Sequence, residues 1–221
     1  MRQILFALVI GVIGTGVLVR LGLWQLERLD WKEAMIAEAA AMMAEAPVAL
    51  PPQPDPARDR YRPVTVAGSF TQDEAHVLTS TRDQGPGYRI ITSFVTEDGR
   101  RIMIDRGYVP ETARKTLRPG HAASITGNLN WPDDMTSSTP APDTAANLWF
   151  GRDVEAMAAY LGTEKVMVIA SADTGDGVTV QPATAAFRND HLGYAVTWFG
   201  LALVWAGMTL YWLWRIRARK V

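Results

Sequence analysis

The sequence reads LGYAVTWFGLALVWAGMTLYWLW from Leu192 to Trp214, without one Asp, Glu, Lys or Arg. As an α-helix, which rises about 1.5 Å per residue, this segment is roughly 34 Å long. The hydrocarbon core of a bilayer is about 30 Å thick, so the segment can cross it. A second apolar run, Ile4–Leu23, is interrupted only by Arg20. We therefore predict transmembrane helices over residues 4–24 and 191–214, which excludes a simple cytosolic globular protein.

The charged residues divide the chain into three parts. All 23 acidic residues lie between Glu27 and Asp190. Five of the 22 basic residues lie outside Arg20–Asp190, which leaves 17 inside it and a formal charge of −6 for that segment. Both ends are purely basic, and segments rich in Lys and Arg stay on the cytoplasmic side of a membrane. We predict a multi-pass hairpin whose termini, including the basic tail 215–221, are cytoplasmic.

The segment between the two helices predicts a domain outside the cytoplasm. Residues 25–46 extend the first helix by propensity. Five prolines mark residues 47–60 as an extended linker. Residues 61–187 alternate β-rich pieces with turns, which is typical of a small antiparallel barrel or sandwich. The predicted fold class is a membrane protein in which two transmembrane helices flank an extracytoplasmic, mainly antiparallel β domain with short helices.

Two local signals give this domain more detail. Asp98-Gly99 lies between two β-rich runs and predicts a hairpin turn. Asp153 and Gly162 are suited to begin and end a short helix over Val154–Leu161.

Composition and motifs exclude several classes of function. The net charge of −1 excludes a strongly basic nucleic-acid binder. Because the chain has no cysteine, it has no Cys nucleophile, Cys-ligated metal centre or c-type haem attachment. It also has no GxSxG, HExxH, P-loop or GxGxxG motif. We therefore predict that the chain is not an enzyme and has no catalytic residues.

The first helix has a second interpretation, since Arg2 and the apolar run after it also fit a cleaved signal peptide. No small-x-small cleavage site follows directly, which favours a retained anchor. The absence of an Arg- and Ser-rich transit peptide favours a bacterial inner membrane with the β domain in the periplasm. Ala7, Gly11 and Thr15, at a spacing of four, are suited to close contact between helices. The alternative is that Gly and Ala are simply common in membrane helices.

His191 begins the second apolar helix, because Asn189 or Asp190 can serve as its N-cap. The positive end of the helix dipole disfavours an imidazolium there, and a neutral imidazole is the form that binds a metal. The residues on the same side, at offsets of 4, 7, 11 and 14, are Ala195, Trp198, Ala202 and Trp205. A porphyrin with an apolar tail would fit such a face. The alternative is an interfacial anchor, since His, Tyr and Trp are common at the headgroup level.

Three arginines are predicted near the outer face of the membrane. Arg20, Arg28 and Arg188 could pair with carboxylates such as haem propionates. They could equally extend along the apolar surface toward the headgroups.

Short motifs in a fixed order resemble the Surfeit locus protein 1 family of cytochrome c oxidase assembly factors. Each motif is weak alone, but their order, spacing and two-helix frame cover nearly the whole chain. They are Gly22–Leu26 (GLWQL), Tyr61–Val64 (YRPV), Gly85–Tyr88 (GPGY), Asp105–Pro110 (DRGYVP), Asn147–Trp149 (NLW) and Asn189–Phe199 (NDHLGYAVTWF).

The resemblance implies a non-enzymatic factor that binds haem a transiently and assists its insertion into subunit I of a haem-a-containing cytochrome c oxidase. It implies His191 as the axial ligand of the haem iron, the only metal expected. From the aromatic residues near His191 on the second helix, we predict that Tyr194, Trp198 and Trp205 pack beside the haem ring or its tail. The expected partners are subunit I, haem a synthase as a candidate donor, and membrane lipid, but no nucleic acid. Two alternatives stay open: a scaffold that holds subunit I without binding haem, and a membrane-anchored enzyme acting through the outer domain.

Overall fold

The computed structural model describes residues 2–184 and 189–218. The chain forms two compact units, residues 1–38 with 185–221, and residues 39–184. The helices are α1 (Arg2–Met43), α2 (Pro56–Asp59), α3 (Val154–Leu161) and α4 (His191–Ala218). The strands are β1 (Val48–Ala49), β2 (Pro63–Thr81), β3 (Gly85–Thr96), β4 (Arg101–Pro110), β5 (Ala122–Asn130) and β6 (Met167–Ala170).

The first unit consists of apolar helix. α1 and α4 are both long and apolar enough to cross a membrane. Most of their large hydrophobic side chains are exposed, for example Val12 at 65% and Leu203 at 77%. In water such surfaces are strongly unfavourable, whereas lipid tails cover them at no cost. The chain is therefore a membrane protein with two spans, as the uncharged runs predict.

The second unit is a closed barrel of five strands. β2 pairs with β3 and β5, β4 pairs with β3 and β6, and β6 also pairs with β5, so the ring has no open edge. Within this ring only β4 and β6 run parallel. The mainly antiparallel β domain is confirmed, and it is a barrel rather than a sandwich. Closure satisfies the backbone groups that an edge would leave unpaired.

The barrel core follows from side-chain alternation along the strands. In β4, Ile102 and Ile104 contribute to the barrel interior, whereas Met103 packs in a second apolar cluster with Trp149 and helix α3. Because successive side chains of a strand point to opposite faces, a strand covered on both sides is buried along its whole length. Residues 102–109 of β4 are accordingly all buried.

The local signals in the β domain are confirmed. Gly99 has φ +86°, and Gly99 N–H donates to Thr96 O in the turn between β3 and β4. Asp153 caps α3 by accepting from the backbone N–H groups of Glu155 and Ala156, and Gly162 ends the helix with φ +62°.

Two segments differ from the expected pattern. The linker 47–60, expected to be extended, contains β1 and the single turn α2, because Asp55 accepts hydrogen bonds from two backbone N–H groups of α2. The β-rich pieces near residues 66 and 77 belong to one strand, β2, which continues through an irregularity between Phe70 and Glu74. A bulge bends a strand without ending it, which allows β2 to pair with two partners.

Candidate functional site

The two membrane helices contact each other through glycines of α1. A Cβ at Gly22 would come within 2.7 Å of the Phe199 ring, and a Cβ at Gly11 would overlap the side chain of Thr209. Only glycine leaves room for so close an approach. We call this contact between α1 and α4 the seam. The small residues at a spacing of four along α1 had indicated a close helix contact of this kind.

The seam occupies the face of α4 that the sequence assigns to a porphyrin. Ala195 and Ala202, at offsets of 4 and 11 from His191, are 1% and 4% exposed. Ala195 and Ala202 lie on the same face of α4 as the residues that contact α1. A flat cofactor therefore has no space between the two helices at these alanines. The predicted platform of alternating small and aromatic residues is therefore a helix contact instead.

Aromatic side chains line one side of the seam. Successive helix residues are rotated by about 100°, which places Tyr194, Trp198 and Trp205 on the same side of the line through Ala195 and Ala202. Tyr194 is 57% and Trp205 39% exposed, and Trp198 is partly buried. We call this surface the aromatic flank. The three predicted packing residues thus lie on one side of α4, but the Trp205 ring also packs in the seam, because an added Cβ at Gly14 would come within 2.4 Å of it.

The position of Trp205 limits its role. It lies 14 residues after His191, about 21 Å along the axis of α4. A ring ligated by His191 therefore cannot touch Trp205, which could contact only an apolar tail extending down the aromatic flank.

An apolar cavity of about 370 Å³ lies at that lower end of the helix pair. Both helices line it, with residues that include Ile10, Gly11, Trp205, Met208, Trp212 and Arg215.

His191 is held by a side chain of α1. Its Nδ1 lies 2.8 Å from Oε1 of Gln25, and Gln25 is only 8% exposed. Because the amide oxygen can only accept, Nδ1 carries the hydrogen and Nε2 has the free electron pair. Among the described residues, none forms a hydrogen bond with that Nε2. A metal binds whichever nitrogen of a neutral imidazole carries no hydrogen, and here that nitrogen is Nε2.

The predicted propionate partners occupy different places. On α1, Gly14 lies against Trp205 and so marks the aromatic flank. Around the axis of α1, Arg28 is rotated by about 40° from Gly14 and so lies on the side of the aromatic flank. Arg20 is rotated by about 160° from Gly22, which lies in the seam, and so points to the far side of α1. Arg20 pairs with Glu27 at 3.0 Å, while the guanidinium of Arg28 lies 4.6 Å from the Trp31 ring. Of Arg20 and Arg28, Arg28 is thus the one on the side of α1 that faces the aromatic flank, and Arg188 lies outside the described residues.

Residues 12–203 match the sequence model of the SURF1 family. The chain belongs to the SURF1 family. It is similar to Surfeit locus protein 1 of Xenopus tropicalis, with 31% identity over 208 residues, 82% of this chain and 67% of the relative. Surfeit locus protein 1 of Homo sapiens is 32% identical over 207 residues, 82% of this chain and 69% of the relative. The SURF1-like protein of Drosophila melanogaster is 32% identical over 217 residues, 82% of this chain and 69% of the relative.

In this SURF1 family member, the resembling motif DRGYVP contributes Asp105 to a buried charge network in the barrel. Asp105 is fully buried and accepts from Arg89 Nε at 2.9 Å and Arg152 Nη1 at 3.1 Å. Arg152 also pairs with a second carboxylate, that of Asp134. Burial opposes ionisation of Asp134, but the hydrogen bond and charge of Arg152 outweigh this effect and hold the pKa of Asp134 below its usual value. The DRGYVP motif is thereby tied to the segment after NLW, which makes these residues architectural.

Sequence reasoning missed two features of this SURF1 family member. Gln25 carries no sequence signal beyond its place in the GLWQL motif, because pairing across 166 positions leaves no periodic pattern. The Asp105 network did leave a signal in the sequence, since two adjacent charged residues, Asp105 and Arg106, interrupt an apolar strand. Among the described residues, no three His, Cys, Asp or Glu side chains are grouped to hold a metal ion.

Proposed function

We propose that this SURF1 family member is a non-enzymatic assembly factor for a haem-a-containing cytochrome c oxidase. It binds haem a transiently and assists its insertion into subunit I. The observation that carries the proposal is the hydrogen bond from His191 Nδ1 to Gln25, which leaves Nε2 available on a helix pair with an aromatic flank. Family membership supports the same conclusion, since the resembling motifs include the one that contains His191.

The geometry supports one mode of binding. The iron takes Nε2 of His191, while the porphyrin lies against the aromatic flank beside Tyr194 and Trp198 and outside the seam. The apolar tail runs along the flank toward the cavity at Trp205, and Arg28 is the arginine on this flank that can pair with a propionate. One axial imidazole and an open surface give moderate affinity, which release to an acceptor requires.

The test uses full-length protein purified from membranes of cells that make haem a. We expect a Soret band and an α band typical of haem a, and no such bands on protein from cells blocked in haem a synthesis. We also expect subunit I to co-purify, with haem a synthase as a second candidate partner. Protein without haem a from producing cells, at normal yield and with subunit I attached, would contradict haem binding.

That last result would favour the second candidate, a scaffold that stabilises subunit I without haem. One observation supports it: the seam is closely packed beside the site, because an added Cβ at Gly22 would already overlap Phe199 of α4. A rigid helix pair of this kind offers a docking surface that needs no cofactor.

The proposed location is a bacterial inner membrane, with both termini in the cytoplasm and the barrel in the periplasm. The basic residues outside Arg20–Asp190 support this orientation. Alkaline phosphatase fused after Val221 should be inactive, whereas a cytoplasmic reporter fused there should be active. An active phosphatase fusion would reverse the orientation.

A further inference from the structure

We infer that Gln25 is a positioning residue for His191: its amide oxygen holds the imidazole in the Nδ1–H tautomer and aims Nε2 at the iron. This inference rests on the proposed function, because it assigns a role within the same site. The Gln25–His191 hydrogen bond itself exists without the cofactor, so part of the inference can be tested on the haem-free protein.

The seam fixes the distance between the two side chains. Gly22 precedes Gln25 by three residues and allows the Phe199 ring to approach the α1 backbone. Ala195, one turn after His191, is almost fully buried and keeps the two helices close. As a result Oε1 of Gln25 reaches Nδ1 of His191 at 2.8 Å. A side chain shorter by one methylene, such as Asn, would not span this distance from the same backbone.

The burial of Gln25 makes the bond costly to lose. A buried amide or imidazole N–H without a partner retains its full desolvation penalty. The pair therefore satisfies two polar groups at the membrane surface and leaves one orientation for the ring. A metal-binding histidine commonly donates its second ring N–H to an acceptor that fixes its tautomer and orientation.

The choice of an amide acceptor has a chemical consequence. A carboxylate at this position would draw the Nδ1 proton, raise the basicity of the ligand and favour ferric haem. A neutral amide orients the ring without adding charge, so the ligand stays a weaker donor. This suits a protein that must release haem to an acceptor.

The first experiment measures the tautomer of His191 in haem-free, full-length protein with ¹⁵N-labelled histidine. The chain has three histidines, and His191→Ala identifies the signals of His191. We expect the Nδ1–H form in the wild type and a mixture of tautomers in Gln25→Leu and Gln25→Asn. An unchanged Nδ1–H form in both variants would overturn the inference.

The second experiment measures binding of haem a to the same variants. Gln25→Leu should weaken binding by about 10–100-fold, the usual effect of removing such a partner. Gln25→Glu should retain binding and shift the reduction potential to more negative values, which a merely structural role would not do. The control is Leu23→Ala, an exposed residue on the other side of α1, which should leave binding and potential unchanged.

The two proposals fail in different ways. If His191→Ala binds haem a as tightly as the wild type, the proposed function is wrong, although Gln25 can still fix the tautomer. If His191→Ala loses haem while Gln25→Leu keeps both affinity and spectrum, haem binding stands and the role of Gln25 is wrong.

Discussion

Replacing His191 with alanine is expected to lower the affinity for haem a by more than about 100-fold, because a lost ligand should cost more than a lost outer-shell partner. The physical reason is that Nε2 of His191 is the iron ligand in the proposed site, and alanine offers no substitute. The measurement is haem titration of detergent-solubilised full-length protein, read at the Soret band. Membrane insertion should stay normal, since alanine keeps the helix propensity of α4.

Three controls separate ligation from other effects. His76→Ala and His121→Ala should leave haem binding unchanged, because both histidines belong to the barrel unit. Trp198→Ala should weaken retention of haem with little change in the spectrum, since packing is not coordination. Added imidazole should restore the spectrum of His191→Ala by filling the space that the side chain leaves. A His191→Ala protein with full haem content and an unchanged spectrum would exclude the ligand role.

The second large effect is expected in the barrel, where Asp105→Asn should destabilise the fold by about 3–5 kcal/mol, the usual result of breaking a buried ion pair. Asp105 is fully buried, and its carboxylate faces both Arg89 and Arg152. Without its charge, two partly buried guanidinium groups lose a counter-ion. Thermal denaturation of the solubilised full-length protein, followed by the β signal in circular dichroism, measures the loss.

The matched control is Asp73→Asn, which removes a carboxylate from an exposed pair. Asp73 lies 3.0 Å from Arg101, and the two side chains are 63% and 40% exposed. Exposed pairs contribute about 0–1 kcal/mol. Equal melting temperatures for Asp105→Asn and Asp73→Asn would show that the buried network does not stabilise the barrel.

Much of the fold could be predicted because its signals are local. An uncharged run of the length of Leu192–Trp214 has few stable environments other than a membrane. The cap at Asp153 and the turn at Gly99 each depend on neighbouring residues only, and both were predictable for that reason. The order of the strands around the barrel could not be predicted in this way, because the parallel pairing of β4 with β6 joins segments about 60 residues apart.

The candidate site could be predicted only in part. The first-turn position of His191 and the aromatic residues after it follow from helical spacing. Which side of α4 is open does not, because it depends on where α1 packs. Sequence spacing placed Ala195 and Ala202 with the porphyrin, whereas the structure buries both. The hydrogen-bond partner of His191, Gln25, could not be predicted either, because it depends on how α1 packs against α4.

The position of β6 in the barrel has a consequence for truncated chains. Met167–Ala170 is the last strand in the sequence, yet it lies between β4 and β5 and closes the ring. A chain that stops before Met167 therefore loses more than its second membrane helix. It exposes two adjacent strand edges in an otherwise complete sheet, and such edges pair readily with other chains. Premature termination between β5 and β6 should therefore produce an aggregating or rapidly degraded polypeptide rather than a shortened working one.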